Sequence, residues 1–189
     1  MPIRPATPDD TDALRRIYGQ YLDTPITFEC VLPDSAAFRA RIEGILAGYP
    51  YLVYEEAGTI RGYAYAHAFH ERSAYQWGAE LSVYLDRDWT SRGVGRQLYT
   101  ALIELLRLQG IRTVYGCVTV PNEKSEGLHA ALGFARVATF HAAGFKAGAW
   151  HDVAWFEKAI APYDADPSPI RPFPAVEAAD IAAVLARFA

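Results

Sequence analysis

The chain has 189 residues, which is enough for one globular domain with a sizeable core, and 51% of them are apolar or aromatic, as is usual for a folded protein. Its net charge of −4 gives no basic excess, so we expect no nucleic-acid partner. The N-terminus has no apolar segment, and no apolar run approaches the ~20 residues of a membrane span. These features predict a cytoplasmic protein that does not contact the membrane.

Hydrophobic spacing and turn signals define the first half of the chain. A helix start at Thr7, a cap at Asp34 and a turn at Gly58 separate its elements. The predicted elements are a short strand at 3–5, a helix from 7 to 21, a loop at 24–30, a helix at 34–48, and strands at 51–55 and 60–69 joined by a hairpin turn at 56–59.

The second half alternates strands and helices. The predicted elements are a strand at 77–85, a helix at 93–108, a strand at 113–120, a helix at 121–132, and two strands at 134–141 and 150–158 with a glycine-containing connection at 143–149. The resulting order is β, α, α, three strands, α, β, α, β, β. This order predicts a mixed α/β fold with helices on the faces of a mixed sheet.

The composition changes at Ala161. Prolines are dense between Pro162 and Pro174, which predicts a semi-rigid extended linker. An apolar stripe from Ile181 to Phe188 then predicts a short terminal helix, which would be marginal alone and would dock on the main domain or on a partner. We therefore predict a domain at 1–161 and a linker with a helix at 162–189.

Cysteine and histidine spacings give no metal signal. Cys30 and Cys117 are far apart and are expected to be reduced, buried thiols. His67 and His70 lack a third ligand at a typical spacing, so no metal site is predicted.

A glycine-rich loop between a strand and a helix is the strongest local motif. The segment Arg92-Gly93-Val94-Gly95-Arg96 opens the helix, and backbone N–H groups at a helix start can bind phosphate oxygens. Arg92 and Arg96 add positive charge. Alone, this motif allows any phosphate ligand, or an ordinary strand–helix turn.

Several blocks together resemble the GNAT N-acetyltransferases. They are Val83-Tyr84-Leu85, the glycine-rich loop, Pro121-Asn122 with Ser125, and His129 to Phe134. Arg72 to Trp77, Glu80, Ala143 to Lys146 and Trp150 to Asp152 are similar to the branch that acetylates phosphinothricin and methionine sulfoximine. The resemblance covers roughly residues 3–160. One position departs from it, because Thr90 stands where the superfamily usually has Gln or Arg.

The resemblance implies a GNAT-like fold and an enzyme that uses acetyl-CoA as cosubstrate and no metal. It implies that the pantetheine arm pairs with the backbone of Val83, Tyr84 and Leu85, and that the glycine-rich loop holds the pyrophosphate. Asn122 and Ser125 would hold the arm or the leaving sulfur, although Asn122 could also simply cap its helix.

Acetyl transfer to an amine requires a general base, because a free amino group is mostly protonated at neutral pH. Strand alternation places Glu80 with Ser82 and Tyr84 on one face of a central strand. A carboxylate there is costly unless it is used or paired, for instance with Arg72. Glu80 is therefore the predicted base. His129 lies one helical turn after Ser125 and is the candidate acid for the leaving thiolate, with a structural histidine as the alternative.

Three further residues are predicted to bind the acceptor. Arg72 is suited to a substrate carboxylate and lies among aromatic residues that include Tyr75, while Phe28 would form the opposite wall of the pocket. In the branch, the loop at 144–152 helps to form a homodimer, which we expect here. The predicted reaction is direct acetyl transfer to the primary amine of a small amino-acid-like molecule. Alternatives are another amine (a polyamine, an aminoglycoside or a protein N-terminus) or a non-catalytic acyl-CoA sensor.

Overall fold

The fold is described from a computed structural model that covers residues 2–188. A seven-stranded sheet is flanked by α-helices and short 3-10 turns. The strands are β1 (Ile3–Pro5), β2 (Tyr51–Glu56), β3 (Thr59–Ala68), β4 (Gly78–Leu85), β5 (Thr113–Val120), β6 (Ala135–Lys146) and β7 (Ala149–Ala159). The helices are α1 (Thr11–Gly19), α2 (Ser35–Leu46), α3 (Val94–Gln109), α4 (Glu123–Ala131) and α5 (Ala178–Ala186). The predicted order and type of elements, and the mixed α/β class, are confirmed.

The strand order β1-β2-β3-β4-β5-β7-β6 contains one parallel pair, β4 with β5, among antiparallel neighbours. This pair is hydrogen-bonded only where 78–81 lies beside 113–116. Beyond Leu81 and Gly116 the two strands diverge. Their carboxyl-terminal halves therefore form the walls of a cleft in the middle of the sheet.

Each face of the sheet has its own apolar cluster. On one face, Leu81 of β4 packs with the buried side of α3, including Leu98 and Leu102. On the other face, α1 and α2 cover an aromatic cluster in which Tyr51 and Tyr63 are buried. The alternation predicted for β4 agrees with the packing, because Leu81, Val83 and Leu85 contact the α3 cluster, whereas Tyr84 packs against the aromatic cluster on the other face.

Local signals account for most element boundaries. Asp34 caps α2 through its Oδ1, which accepts a hydrogen bond from the Ala37 N–H at 2.8 Å. Gly110 ends α3 with a φ of +95°, a conformation that glycine adopts without strain. The first helix is shorter than predicted: a 3-10 turn at Pro8–Asp10 leads into α1, which ends at Gly19.

The predicted connection at 143–149 is wrong in extent. β6 continues to Lys146, and only Ala147 and Gly148 form the turn, with φ values of +52° and +79°. The sequence predicted Gly144 as part of the connection between two strands. In the structure the Phe28 ring occupies the space next to it, 2.4 Å from where a Cβ at this position would lie. The glycine therefore permits a close contact within a strand.

The segment after residue 161 packs along the domain. The Trp77 indole N–H donates to the Ser168 carbonyl at 2.9 Å, and the Gln109 side chain donates to the Arg171 carbonyl at 2.7 Å. Phe173 and Leu185 are buried in the same cluster as α3. Of the two predicted alternatives, docking on the main domain is the one observed.

Both cysteines differ from their prediction, because each is an exposed free thiol. Cys30 lies in the exposed loop before α2, and Cys117 is on β5, where the strand has separated from β4. For Cys117, the sequence predicted burial from its place in the middle of a strand. The divergence of the strands is what exposes Cys117.

Candidate active site

The cleft between β4 and β5 brings together many of the predicted cosubstrate-binding residues. Its lining includes Val83 and Tyr84 from β4, and Asn122, Ser125 and His129 from the start of α4 and the segment before it. Because the strands no longer pair here, backbone groups of β4 beyond Leu81 face the cleft instead of β5. An extended amide-bearing chain could pair with this free strand edge.

The glycine-rich loop lies at the start of α3, as predicted. Gly93 is its N-cap residue with a φ of +83°, and Val94 and Gly95 are buried in the first turn. Arg92 and Arg96 are exposed, and the Arg92 guanidinium lies 4.7 Å from the centre of the Trp89 ring. Free N–H groups at a helix start, with two cations beside them, fit the pyrophosphate of a nucleotide-type cosubstrate.

Thr90, the position that departs from the superfamily, has a cationic neighbour from another element. The Lys124 ammonium on α4 donates a hydrogen bond to the Thr90 hydroxyl at 3.0 Å. This contact connects the loop after β4 with the helix after β5, on opposite sides of the cleft. The sequence did not reveal Lys124, because thirty-four positions separate it from its partner.

Asn122 caps α4 and also lines the cleft. Its Oδ1 accepts from the Ser125 N–H at 3.2 Å, and its own N–H donates to the Glu126 carboxylate at 2.9 Å. The two roles considered for Asn122 are thus compatible. The cap fixes the side chain at the mouth of the cleft.

His129 is buried among aromatic rings and does not reach open solvent. Its ring stacks on Phe156 with centroids 4.9 Å apart, and its Nδ1 bonds to the Ser125 carbonyl at 2.8 Å. Because a carbonyl only accepts, Nδ1 carries the proton of the neutral ring and Nε2 is the bare nitrogen. Burial lowers the pKa of His129, so the ring is neutral near pH 7. A neutral Nε2 has no proton to give to a thiolate.

Glu80 lies in the half of β4 that is still paired with β5, one residue before the strands begin to diverge. Its carboxylate forms no ion pair within residues 2–188, neither with Arg72 nor with another cation. Burial raises the pKa of Glu80, and His67 and His70 only partly oppose the rise. A carboxylate held without a cation, with a pKa moved toward neutrality, has the properties of a general base.

A pocket of about 350 Å³ lies on the same face of the sheet as Glu80. It is lined by aromatic and apolar side chains of α1, α2, β2 and β3, together with Glu29, Arg41 and His67. In the β3–β4 register His67 is opposite Glu80 and Tyr65 is opposite Ser82, so the pocket adjoins the strand of Glu80. Its size suits a small molecule.

The pocket-lining residues Glu29 and Arg41 were not predicted as site residues, and neither was Lys146, which contacts the backbone of Glu29. Arg41 on α2 forms an ion pair with Glu29, with an N–O distance of 2.7 Å. Buried Lys146 on β6 donates to the carbonyls of Thr27 at 2.5 Å and Glu29 at 2.7 Å. No regular spacing connects these positions, because the contacts depend on the path of the α1–α2 loop.

The predicted acceptor-binding residues are placed unequally. Phe28 lies on the α1–α2 loop with its ring packed over Gly144. Arg72 is exposed just before a 3-10 turn, and its side chain makes no hydrogen bond or ion pair with the rest of 2–188. Tyr75 faces Phe69 and His70 in a second, smaller recess. None of these three residues lines the 350 Å³ pocket, although Phe28 directly precedes Glu29, which does.

Cys117 lies near the base without the properties of a nucleophile. Although Cys117 is exposed at the surface of the cleft, its thiol is partly desolvated there, and this desolvation, with a further contribution from the Glu80 carboxylate, raises the pKa of Cys117 to about 11. The group is therefore a neutral thiol at physiological pH. This fits direct transfer to the acceptor.

The described residues form neither a metal-ligand cluster nor a membrane-spanning helix. Between residues 2 and 188, no three side chains of His, Cys, Asp or Glu are grouped as ligands for a metal ion. Over the same range, no helix combines the length and apolar character that crossing a membrane requires.

Comparisons with known proteins agree with this geometry. Residues 3–155 match the family described as acetyltransferase (GNAT) domain. A phosphinothricin N-acetyltransferase of Streptomyces viridochromogenes is 36% identical over 171 residues, which are 90% of this chain and 93% of the relative. An L-methionine sulfoximine/L-methionine sulfone acetyltransferase of Salmonella typhimurium is 33% identical over 162 residues, covering 83% of this chain and 93% of the relative.

A solved structure shows the same similarity. The phosphinothricin acetyltransferase of Sinorhizobium meliloti, in complex with acetyl-CoA, superimposes with a TM-score of 0.83 at 30% identity. The match covers 90% of this chain and 97% of that protein.

Proposed function

Because the chain belongs to the GNAT family and is an acetyl-CoA-dependent N-acetyltransferase, we propose that it acetylates the primary amine of a small amino-acid-like acceptor. The acceptor is of the phosphinothricin or methionine sulfoximine type, as the names of its relatives suggest. The observation that carries the proposal is the position of Glu80, one residue before the β4–β5 pairing ends and opposite His67 of the 350 Å³ pocket, with no ion pair within residues 2–188.

Acetyl-CoA supplies an activated acetyl thioester, and the chain binds and orients it. In this proposal the free edge of 83–85 pairs with the pantetheine arm, while the first turn of α3, with Arg92 and Arg96, binds the pyrophosphate. Asn122 and Ser125 line the cleft on the side of α4, where they would contact the arm. The parallel pair β4–β5 positions all of these groups by diverging after residue 81.

Glu80 accepts the proton that the acceptor amine must lose before it forms the new C–N bond. As that bond forms, the C–S bond of the thioester breaks and the thiolate leaves with its electron pair, later taking up a proton. We do not assign that proton to His129, since its ring is neutral with a bare Nε2. The role proposed for His129 is to support the cleft wall by packing against Gly116 and Phe156.

We also propose that the protein is a homodimer formed through the β6–β7 hairpin. β6 is an edge strand, and apolar side chains project from the hairpin into solvent. They are Val137, Phe140, Phe145 and Trp150, which we call the hairpin patch. Exposed apolar groups at the edge of a sheet are typical of an interaction surface. A cytoplasmic location fits the two unpaired cysteines.

A thiol-release assay tests the proposed activity. With acetyl-CoA, we expect turnover of methionine sulfoximine or phosphinothricin, and little turnover of polyamines or aminoglycosides. Glu80→Gln should lower kcat by about 10²–10⁴-fold, the usual contribution of a general base. In the wild type, kcat should depend on the deprotonation of a single group, so it should fall by about tenfold for each pH unit below the pKa of that group.

The contrary results are equally specific. Undiminished turnover in Glu80→Gln would remove Glu80 as the base. Binding of acetyl-CoA without thiol release for any amine would favour the alternative of an acyl-CoA sensor.

A further inference from the structure

One oxygen of the acceptor pocket lacks a partner. Glu29 Oε1 pairs with Arg41, but Glu29 Oε2 is buried and accepts no hydrogen bond from residues 2–188. Leaving a buried acceptor unsatisfied costs about 1–3 kcal/mol, so such groups usually indicate a missing partner. This oxygen belongs to a side chain that lines the 350 Å³ pocket. A donor on the acceptor molecule would satisfy it.

The position of Glu29 is fixed before any ligand binds. Lys146 donates to its carbonyl at 2.7 Å, and the Thr27 hydroxyl accepts a hydrogen bond from its N–H at 3.2 Å. The Thr27 hydroxyl in turn bonds to the Tyr18 hydroxyl at 2.6 Å within the pocket wall. Lys146 and Thr27 thus fix the backbone of Glu29, and Arg41 holds its carboxylate, which makes this group a preorganised acceptor.

The opposite charges of Arg41 and Glu29 cancel within the pocket. Arg41 is a donor and Glu29 is an acceptor, and together they contribute no net charge. The other lining groups are mainly tyrosine, phenylalanine and isoleucine side chains, with His67 at the boundary toward Glu80. A neutral group that carries both a donor and an acceptor is complementary to this pair. An anion would gain from Arg41 but would be repelled by Glu29.

Glu29 and Arg41 also lie in the pocket that adjoins Glu80, the proposed base. Tyr65 lines the pocket, and its pKa is raised by burial and further by the carboxylates of Glu80 and Glu29, while Arg41 opposes the rise. Tyr65 lines the pocket together with Glu29 and Arg41, and it lies two residues before His67, which is opposite Glu80 in the β3–β4 register. An acceptor with its amine at Glu80 would extend its side chain past Tyr65 toward Glu29 and Arg41.

We propose that Glu29 and Arg41 determine which acceptor the enzyme prefers, an inference that rests on the proposed function. They select a neutral tetrahedral end group with an N–H donor beside an oxygen acceptor, as in a sulfoximine. A sulfone has nearly the same shape but no N–H, so it leaves Glu29 Oε2 unsatisfied. A phosphinate has a similar shape but is anionic. The preferred order is sulfoximine, then sulfone and phosphinate.

Matched acceptors test this selection. We would measure kcat/KM at saturating acetyl-CoA for methionine sulfoximine, methionine sulfone and phosphinothricin. The wild type should prefer the sulfoximine over the sulfone by about tenfold, the effect of one unsatisfied buried acceptor. Glu29→Gln should reduce the ratio to about one, because its amide group can donate to a sulfone oxygen.

Glu43→Gln is the matched control. Glu43 also pairs with an arginine, Arg39, at 3.0 Å, but the pair is exposed on α2 and does not line the pocket. This variant should keep the wild-type ratio. Equal use of sulfoximine and sulfone by the wild type would overturn the proposal, and so would a Glu29→Gln ratio equal to that of the wild type.

Failures of the two proposals are distinguishable. The comparison of acceptors in the wild type needs no variant, so it decides the question even if Glu29→Gln does not fold. Absence of thiol release with all three acceptors would reject the proposed function and this inference together. Turnover of all three at equal kcat/KM would reject only the selection by Glu29 and Arg41.

Discussion

At the scale of single residues, Glu80 combines a cost in stability with a use in catalysis. Burial raises its pKa, and His67 and His70 only partly oppose the rise. The folded protein therefore binds a proton at this site more tightly than the unfolded chain does. By linkage, stability associated with Glu80 is fully present at low pH and is lost as the pH rises through its raised pKa.

This predicts that Glu80→Gln is more stable than the wild type at neutral pH, although it is inactive. Glutamine is neutral at every pH, so it avoids the burial of a charge. We expect thermal melts to show a gain of about 2–4 °C near pH 8, the equivalent of about 1 kcal/mol in a chain of this size, and no gain near pH 4. Glu71→Gln, at an exposed position, should leave the melting temperature unchanged at both pH values. A variant less stable than the wild type at both pH values would contradict the account.

Glu80 could be predicted from the sequence, whereas Glu29 and Arg41 could not. An acidic residue in an otherwise apolar strand violates a simple alternation rule, and such violations stand out. Glu29 lies in an irregular loop, where no period defines the direction of a side chain. Its contact with Arg41 depends on Lys146, which is 117 positions away. Arg72 lies outside the 350 Å³ pocket, and its role in binding the acceptor carboxylate stays a prediction.

At the scale of elements, the cleft depends on two helices that follow neighbouring strands. α3 follows β4 and α4 follows β5, so the positive ends of both helices lie near the mouth of the cleft. Lys124 adds a cation there and reaches across to Thr90. The glycine-rich loop was predictable from its spacing, but the bridge from α4 required the relative position of the two helices.

We predict that Lys124 contributes to acetyl-CoA binding through the pyrophosphate. Lys124→Met should raise KM for acetyl-CoA by about three- to tenfold, as expected for one partly exposed cation near a phosphate. KM for acetyl-pantetheine, which lacks the pyrophosphate, should not change. Steady-state kinetics with both thioesters measures the difference.

A suitable control for Lys124→Met is Arg187→Met. Arg187 is also exposed, and it pairs with Glu104 in the C-terminal half of α3, away from the loop. An equal rise in KM for both thioesters would mean that Lys124 acts through the fold of the cleft and not through phosphate.

At the scale of the whole molecule, the C-terminal segment belongs to the main core. Arg112 at the start of β5 pairs with Asp164 at 2.6 Å, and the Tyr163 hydroxyl bonds to Thr113 at 2.8 Å. Proline content correctly indicated an extended segment, and periodicity correctly indicated α5. Neither could show the course of the segment over β5 and α3, because long-range packing leaves no local pattern. The boundary at residue 161 stays a prediction.

The hairpin patch is the largest apolar feature that the fold leaves uncovered on β6 and β7. The Phe145 and Trp150 rings are 59% and 66% exposed and lie 5.3 Å apart. The same hairpin carries Gly144, which accommodates Phe28, and Lys146, which holds the α1–α2 loop. Contacts that order the hairpin therefore also order one wall of the acceptor pocket.

We predict that Trp150→Glu converts a dimer into a monomer and weakens acceptor binding. Light scattering should give twice the chain mass of 20.9 kDa for the wild type and the mass of a single chain for the variant. The dimer is lost because the new charge would be left unpaired in an apolar interface. KM for the acceptor should rise while KM for acetyl-CoA is unchanged, since the cleft lies on other strands. Val31→Glu introduces the same charge at an exposed position of the α1–α2 loop, outside the hairpin patch, and should remain dimeric. A wild type that is monomeric at micromolar concentration, or a Trp150→Glu variant that remains dimeric, would show that the hairpin patch is not the dimer interface.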